Sequence, residues 1–139
     1  MPTFSTVVEI EKYMEKACSV AVENACNRLL GTLQQIIDEE YYDVYEPDIY
    51  NRTYAFWHSA MTEMLDYSCG RIFMNPDSMD YKEGWSGEAQ IRTAAEGLHG
   101  GLDVGTNDHR YWDKFLEYCN ENAVDILRQE LQKQGIVAK

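Results

Sequence analysis

The chain reads as an α+β fold made of a long N-terminal helix, a short helix, a β-hairpin or small antiparallel sheet, and a C-terminal helix. Three observations predict it. Apolar residues recur at helical spacing from Val7 to Ile36, two short strand-like runs flank the turn formers Ser68, Cys69 and Gly70, and the helical period returns from Trp112 to Leu131.

The first helix begins at Thr6-Val-Val-Glu9, a capping-box pattern in which Thr6 caps the N-terminus and Glu9 reaches back to it. Its stripe of Val7, Ile10, Met14, Cys18, Ala21, Ala25, Leu29, Leu33 and Ile36 predicts one amphipathic helix over residues 6–40. Ala17, Cys18, Ala21, Ala25 and Cys26 make its middle small-sided, so that a neighbouring element can approach closely. Gly31 is a mild weak point, at a cost of about 1 kcal/mol against alanine. The far end carries the wrong charge. Asp38, Glu39, Glu40 and Asp43 stand where the helix macrodipole is already negative, at a cost of about 0.3–1 kcal/mol each. Either water compensates, or these acids meet Arg52 or Arg71 of the same chain or basic groups on another subunit.

Pro47 drives Glu46 out of helical geometry and makes Tyr45-Glu46-Pro47 extended. From Arg52 onward, Ala55, Phe56, Ser59 and Ala60 with Trp57 and Met61 predict a short helix. A hairpin follows, with strands near 62–67 and 71–75 and Gly70 at its turn. Residues 76–87 read as a surface loop. Ser86 caps a helix carrying Ala89, Ile91, Ala94, Ala95 and Leu98, which stops between Gly97 and Gly101. Asp108 is the predicted cap of the last helix, whose apolar face is Trp112, Phe115, Cys119, Ala123, Ile126, Leu127 and Leu131. Gly135 lies past its end, and Arg128 and Lys133 sit near that end with the favourable sign.

The length of 139 residues suits one domain with a single core. A net charge of −12 argues against a sequence-independent grip on nucleic acid, which needs lysine and arginine to neutralise phosphates. It suits a basic protein partner, or a surface that must not hold DNA. No apolar run is long enough to span a bilayer and no basic stretch precedes an apolar one at the N-terminus, so the chain reads as cytosolic when made. Cys18, Cys26, Cys69 and Cys119 show neither a CxxC pair nor zinc spacing and read as buried free thiols.

Catalytic and cofactor motifs are not found. There is no phosphate loop, dinucleotide fingerprint or HExxH. His58 and Ser59 are adjacent, but adjacency does not create a hydrogen-bonded pair and no acid is marked to orient the histidine. His99 and His109 flank a glycine-rich loop over 100–108 whose carboxylates do not have EF-hand spacing; a loop that needs positive φ at its glycines accounts for it. The expectation is therefore no catalytic residue, no cofactor and no metal. What stands out is the stretch Asp38–Ser59, rich in acids and tyrosines. Tyrosine brings large contact area with a polar tip, and serves equally to cover the chain's own core or to form a subunit contact.

Within that stretch Tyr45-x-Pro47-x-x-Tyr50-x-Arg52-Thr53, followed by Phe56 and Ser59, resembles the segment after the first helix of tailed-bacteriophage neck proteins, also called head–tail connector, tail component or tail completion proteins. Ala94-Ala-Glu-Gly-Leu-His-Gly100 and Arg110-Tyr-Trp-Asp-Lys-Phe115 are similar to that family's small helix ending in glycine and its aromatic entry to the last helix. The resemblance covers the chain from about residue 40 onward. It departs where the family pattern has glycine after Arg-Thr, a position held here by Tyr54, and where its leucine is Phe56. The resemblance implies a non-enzymatic structural subunit of the virion, assembled in the bacterial cytoplasm as a homo-oligomeric ring around the DNA channel between capsid portal and tail. Its partners would be neighbouring head-completion and tail proteins, with no sequence-specific nucleic acid and no membrane. The subunit interface expected on this basis comprises Asp38, Glu39, Glu40, Asp43, Tyr45, Pro47, Tyr50, Arg52, Thr53 and Arg71. Two other readings stand beside it: a small acidic phage inhibitor that mimics DNA and occupies a basic host defence protein, and an enzyme with a site around His58 or His99.

Overall fold

Thr6 starts the first helix as its sequence predicts: its hydroxyl accepts from the Glu9 amide at 3.2 Å, and the Glu9 carboxylate accepts from the Ser5 amide at 2.7 Å and the Thr6 amide at 3.3 Å. In the computed structural model, whose described residues are 2–44, 54–79, 81, 85–99, 102–103 (backbone only) and 109–139, helix α1 spans Val7–Ile37 and continues as a π turn over Asp38–Tyr42. The remaining elements are α2 (Ala55–His58), β1 (Ala60–Asp66), β2 (Cys69–Met74), a 3-10 turn (Pro76–Ser78), α3 (Gly87–Ala95), β3 (Leu98–His99), β4 (Leu102–Asp103) and α4 (Tyr111–Lys133). The α+β class and the predicted order of the principal elements hold.

Helix α4 packs antiparallel along α1. Tyr13 of α1 donates its hydroxyl proton to the Gln134 carbonyl at 2.9 Å, Arg28 meets Glu130 at 3.0 Å, and Glu40 meets Lys114 at 2.7 Å. The buried side of α1 is Ala17, Ala21, Ala25, Leu29, Leu33 and Ile37, one residue in four. Here the predicted stripe is corrected at both ends. Val7, Ile10 and Met14 are exposed, Val7 at 69%, because α4 ends near Tyr13, Ala17 and Val20 and leaves their side of the first turns open. Toward the C-terminus Ile37 replaces Ile36 at the core.

The small residues of α1 serve the hairpin. Strands β1 and β2 pair antiparallel from Ala60↔Met74 to Asp66↔Cys69, with an irregularity between Met64 and Asp66. The turn is Tyr67-Ser68, closed by the Asp66 carboxylate, which accepts from the Ser68 amide at 2.7 Å and its hydroxyl at 3.0 Å. Gly70 is therefore not the turn residue. It lies in β2, where a Cβ would come 2.7 Å from the Cys26 sulfur, so a larger residue would force strand or side chain to shift. The predicted short helix is also trimmed, since α2 stops at His58 and β1 begins at Ala60.

Ser86 caps α3 as predicted, accepting from the Ala89 amide at 3.1 Å. Gly135 follows α4 with φ +81°. The proposed cap Asp108 lies outside the described residues; α4 starts at Tyr111, with Arg110 at the cap position and no side-chain cap bond. The thiols are corrected in part: Cys26 is buried, Cys18 and Cys119 are half-buried, and Cys69 is exposed. One core cluster joins Leu29, Leu33 and Ile37 of α1, Tyr42, Phe56, and Tyr111, Phe115 and Ile126 of α4. No helix among the described residues is long and apolar enough to cross a membrane.

Candidate functional site

The acid-rich end of α1 does not fray. It widens into the π turn, in which the Asp43 amide donates to the Asp38 carbonyl at 2.8 Å, a geometry frequent at functional sites. The wider turn sends four carboxylates in different directions. Glu40, 14% exposed, accepts from Lys114 at 2.7 Å and from Nδ1 of His109 at 2.9 Å. This contact sets the negative end of α1 against the positive first turn of α4, so one macrodipole offsets the other where α4 has no side-chain cap.

Asp38 is half-buried and accepts a hydrogen bond from the Trp57 side chain. Burial raises its pKa, the nearby Asp43 and Glu39 charges add to the rise, and the Trp57 bond opposes it. Glu39 and Asp43 are exposed. Among the described residues Glu39 accepts only from the neutral Gln35 amide, at 2.9 Å, and Asp43 has no ion-pair partner. Arg71 does not reach this corner. It pairs across the hairpin with Glu63, its register partner, and lies over the Phe73 ring at 4.5 Å. Of the ten interface residues expected from sequence, Asp38, Glu39, Glu40 and Asp43 therefore form one corner, Arg71 stands apart, and Tyr45, Pro47, Tyr50, Arg52 and Thr53 lie outside the described residues.

The tyrosines divide in the same way. Tyr41 stacks on His99 with centroids 4.1 Å apart and rings 17° from parallel, and its hydroxyl accepts from Gln90 at 2.6 Å. Tyr42 is buried and its hydroxyl accepts from the Trp57 amide at 3.2 Å. These two cover the chain's own core. Tyr54 does not: it is 44% exposed, touches Tyr42 with centroids 4.7 Å apart, and has φ +57°, the left-handed region that glycine favours. It occupies the position at which the neck-protein pattern described above has glycine, and its backbone takes the conformation that glycine favours.

His58 and Ser59 do not form a hydrogen-bonded pair among the described residues. Ser59 is fully buried and its hydroxyl donates to the Phe56 carbonyl at 2.6 Å, which commits it to closing α2, while His58 is exposed against Trp57. Among the described residues no group of histidine, cysteine, aspartate or glutamate could hold a metal ion. Sequence reasoning missed two polar anchors. Glu130, 2% exposed, accepts from Arg28 at 3.0 Å and Lys133 at 2.8 Å, and buried Gln90 links Trp85 to Tyr41. The i,i+3 spacing of Glu130 and Lys133 was a signal for an ion pair, but not for its burial.

A model of the YomN family matches residues 6–133, nearly the whole chain. The chain belongs to the YomN family. The YomN match points to a phage protein. No curated protein matches the chain, and no solved structure matches it.

Proposed function

We propose that this YomN-family chain is a structural subunit of the bacteriophage neck, assembling as a ring around the DNA channel between the capsid portal and the tail. The observation that carries the reading is the corner at the end of α1: Glu39 and Asp43 are exposed and not neutralised by any described cation, beside the outward-facing ring of Tyr54. Acids kept on a rigid helix end at an electrostatic cost, next to an exposed aromatic, fit a protein contact better than a solvated face. A phage-derived family and the neck-like segment around Tyr54 support the same reading. In a ring one face must complement another on the same molecule. The overall charge of −12 would let DNA pass without sticking.

Light scattering of the purified chain over a range of concentration and salt, with electron microscopy of any associated species, tests this. A ring-sized mass that falls on reversal of Glu39 and Asp43 to lysine is the expected result. A strict monomer under all conditions would overturn it, and capture of a basic host protein by that monomer would favour the acidic inhibitor.

A further inference from the structure

Between β2, α3 and the start of α4 runs a groove of about 310 Å³ with mostly apolar walls, among them Phe73, Ile91, Ala95 and Trp112. Two of its lining residues carry polar groups that the described structure leaves unused. Arg92 is exposed on α3 and forms no ion pair among the described residues. Tyr111 is 1% exposed, and its hydroxyl has no hydrogen-bond partner among the described residues, an arrangement that ordinarily costs about 1–3 kcal/mol. The groove also follows the edge of β2 that has no strand partner among the described residues.

The volume is at the lower limit for small-molecule sites, which run from about 300 to 1,000 Å³. It suits one or two inserted side chains better than a cofactor. Charge decides the rest. Two copies of a chain with net charge −12 repel, and an unpaired acid of one meeting an unpaired cation of the other offsets that repulsion at the contact. The chain supplies both: Arg92 beside the groove, and Asp43 with the exposed Tyr54 ring at the end of α1. Aromatic anchors seated in a pocket and ringed by ion pairs are the usual energetic centre of a protein contact.

We propose that this groove receives the acidic corner of a second copy of the chain, with Tyr54 as the inserted side chain and Asp43 paired to Arg92. The inference rests on the self-assembly reading above and names the surface that completes it.

The test uses light scattering on the full chain, with far-UV circular dichroism to verify folding. Arg92→Glu at the exposed cation and Ala95→Phe, which fills the groove from its wall, are each expected to raise the concentration needed for association at least tenfold. Asp43→Arg should do the same. An equimolar mixture of the Arg92→Glu and Asp43→Arg chains should associate where neither does alone, since each keeps the surface that the other has lost. If the unmodified chain associates and all three variants associate equally well, the groove is not the acceptor and self-assembly stands without it. If the unmodified chain is monomeric at every concentration, both the groove contact and the self-assembly reading fall.

Discussion

At the seam between α1 and α4, Glu130 is almost fully covered and receives both Arg28 and Lys133, whereas at the end of α1 four acids stand together and, among the described residues, only Glu40 meets basic groups, Lys114 and His109. Glu130 owes its low exposure to the two basic side chains lying over it, and the Lys133 bond holds its carboxyl below the usual range, with Arg28 adding to the effect against some burial. Asp38 shows the reverse, its carboxyl raised by burial and by like charges. The difference separates two uses of acid in one chain. Where each carboxylate has its own cations, charge fastens helix to helix. Where carboxylates outnumber cations, like charges are held together at a cost.

Removing the seam should have the largest effect. Glu130→Ala loses two charge-assisted bonds and leaves Arg28 near Lys133, at a cost of about 1–2 kcal/mol once solvent around the partly exposed partners is allowed for, read by urea denaturation at pH 7. The sign with pH is determined by the lowered carboxyl. Its stabilisation is present above the unfolded-state value, near 4.3, and is lost as pH falls through the folded value. The variant's stability should therefore fall less steeply on acidification than the parent's, and parallel curves would show that the ion pairs contribute nothing.

Next comes the backbone of the corner. Holding a non-glycine residue left-handed costs about 1–2 kcal/mol, while glycine in place of another residue gives back roughly 0.5–1 kcal/mol in unfolded-state entropy. Tyr54→Ala loses the ring contact with Tyr42 and keeps the strain; Tyr54→Gly loses the same contact and relieves it. The glycine variant should be the more stable of the two by up to about 1 kcal/mol. The opposite order in thermal melts would mean that φ at residue 54 is not under strain.

The smallest change is expected for Asp38→Asn, which keeps an acceptor for Trp57 and removes one charge from the acid cluster. A gain of about 0.3–1 kcal/mol at pH 7 follows from the macrodipole and like-charge terms. Because the Asp38 carboxyl is raised in the folded chain, the parent loses this stability as pH rises from the unfolded-state value through the folded one, so the gain should vanish in acid, where the parent is already protonated. A variant less stable than the parent at neutral pH would show that the Asp38 charge is needed where it stands.

Much of the local structure was legible in the residues because local chemistry decides it. The Thr6 and Ser86 caps, the glycine after α4 and the hairpin between residues 60 and 74 all stand as their sequence patterns predict, within a few residues. The errors occur where a local pattern is indifferent to its neighbour. Gly70 has the composition of a turn residue, but is glycine because Cys26 lies against it. Arg71 has the right charge to meet the α1 acids, but β pairing places it opposite Glu63.

Taken alone, the sequence determined the principal elements, the Thr6 and Ser86 caps and the charge, for these depend on backbone hydrogen bonds and side-chain periods within a few residues of each other. Tertiary structure decided which part of each element is used. Periodicity marks Val7, Ile10 and Met14 as core, yet burial needs a facing surface, and α4 leaves their side of the first turns open. Composition marks Asp38, Glu39, Glu40 and Asp43 as one cluster, yet only the π turn and the arrival of α4 separate those the fold engages from those it leaves exposed. Coulomb energies between side chains far apart in sequence depend on distance and on water, and both are set by packing.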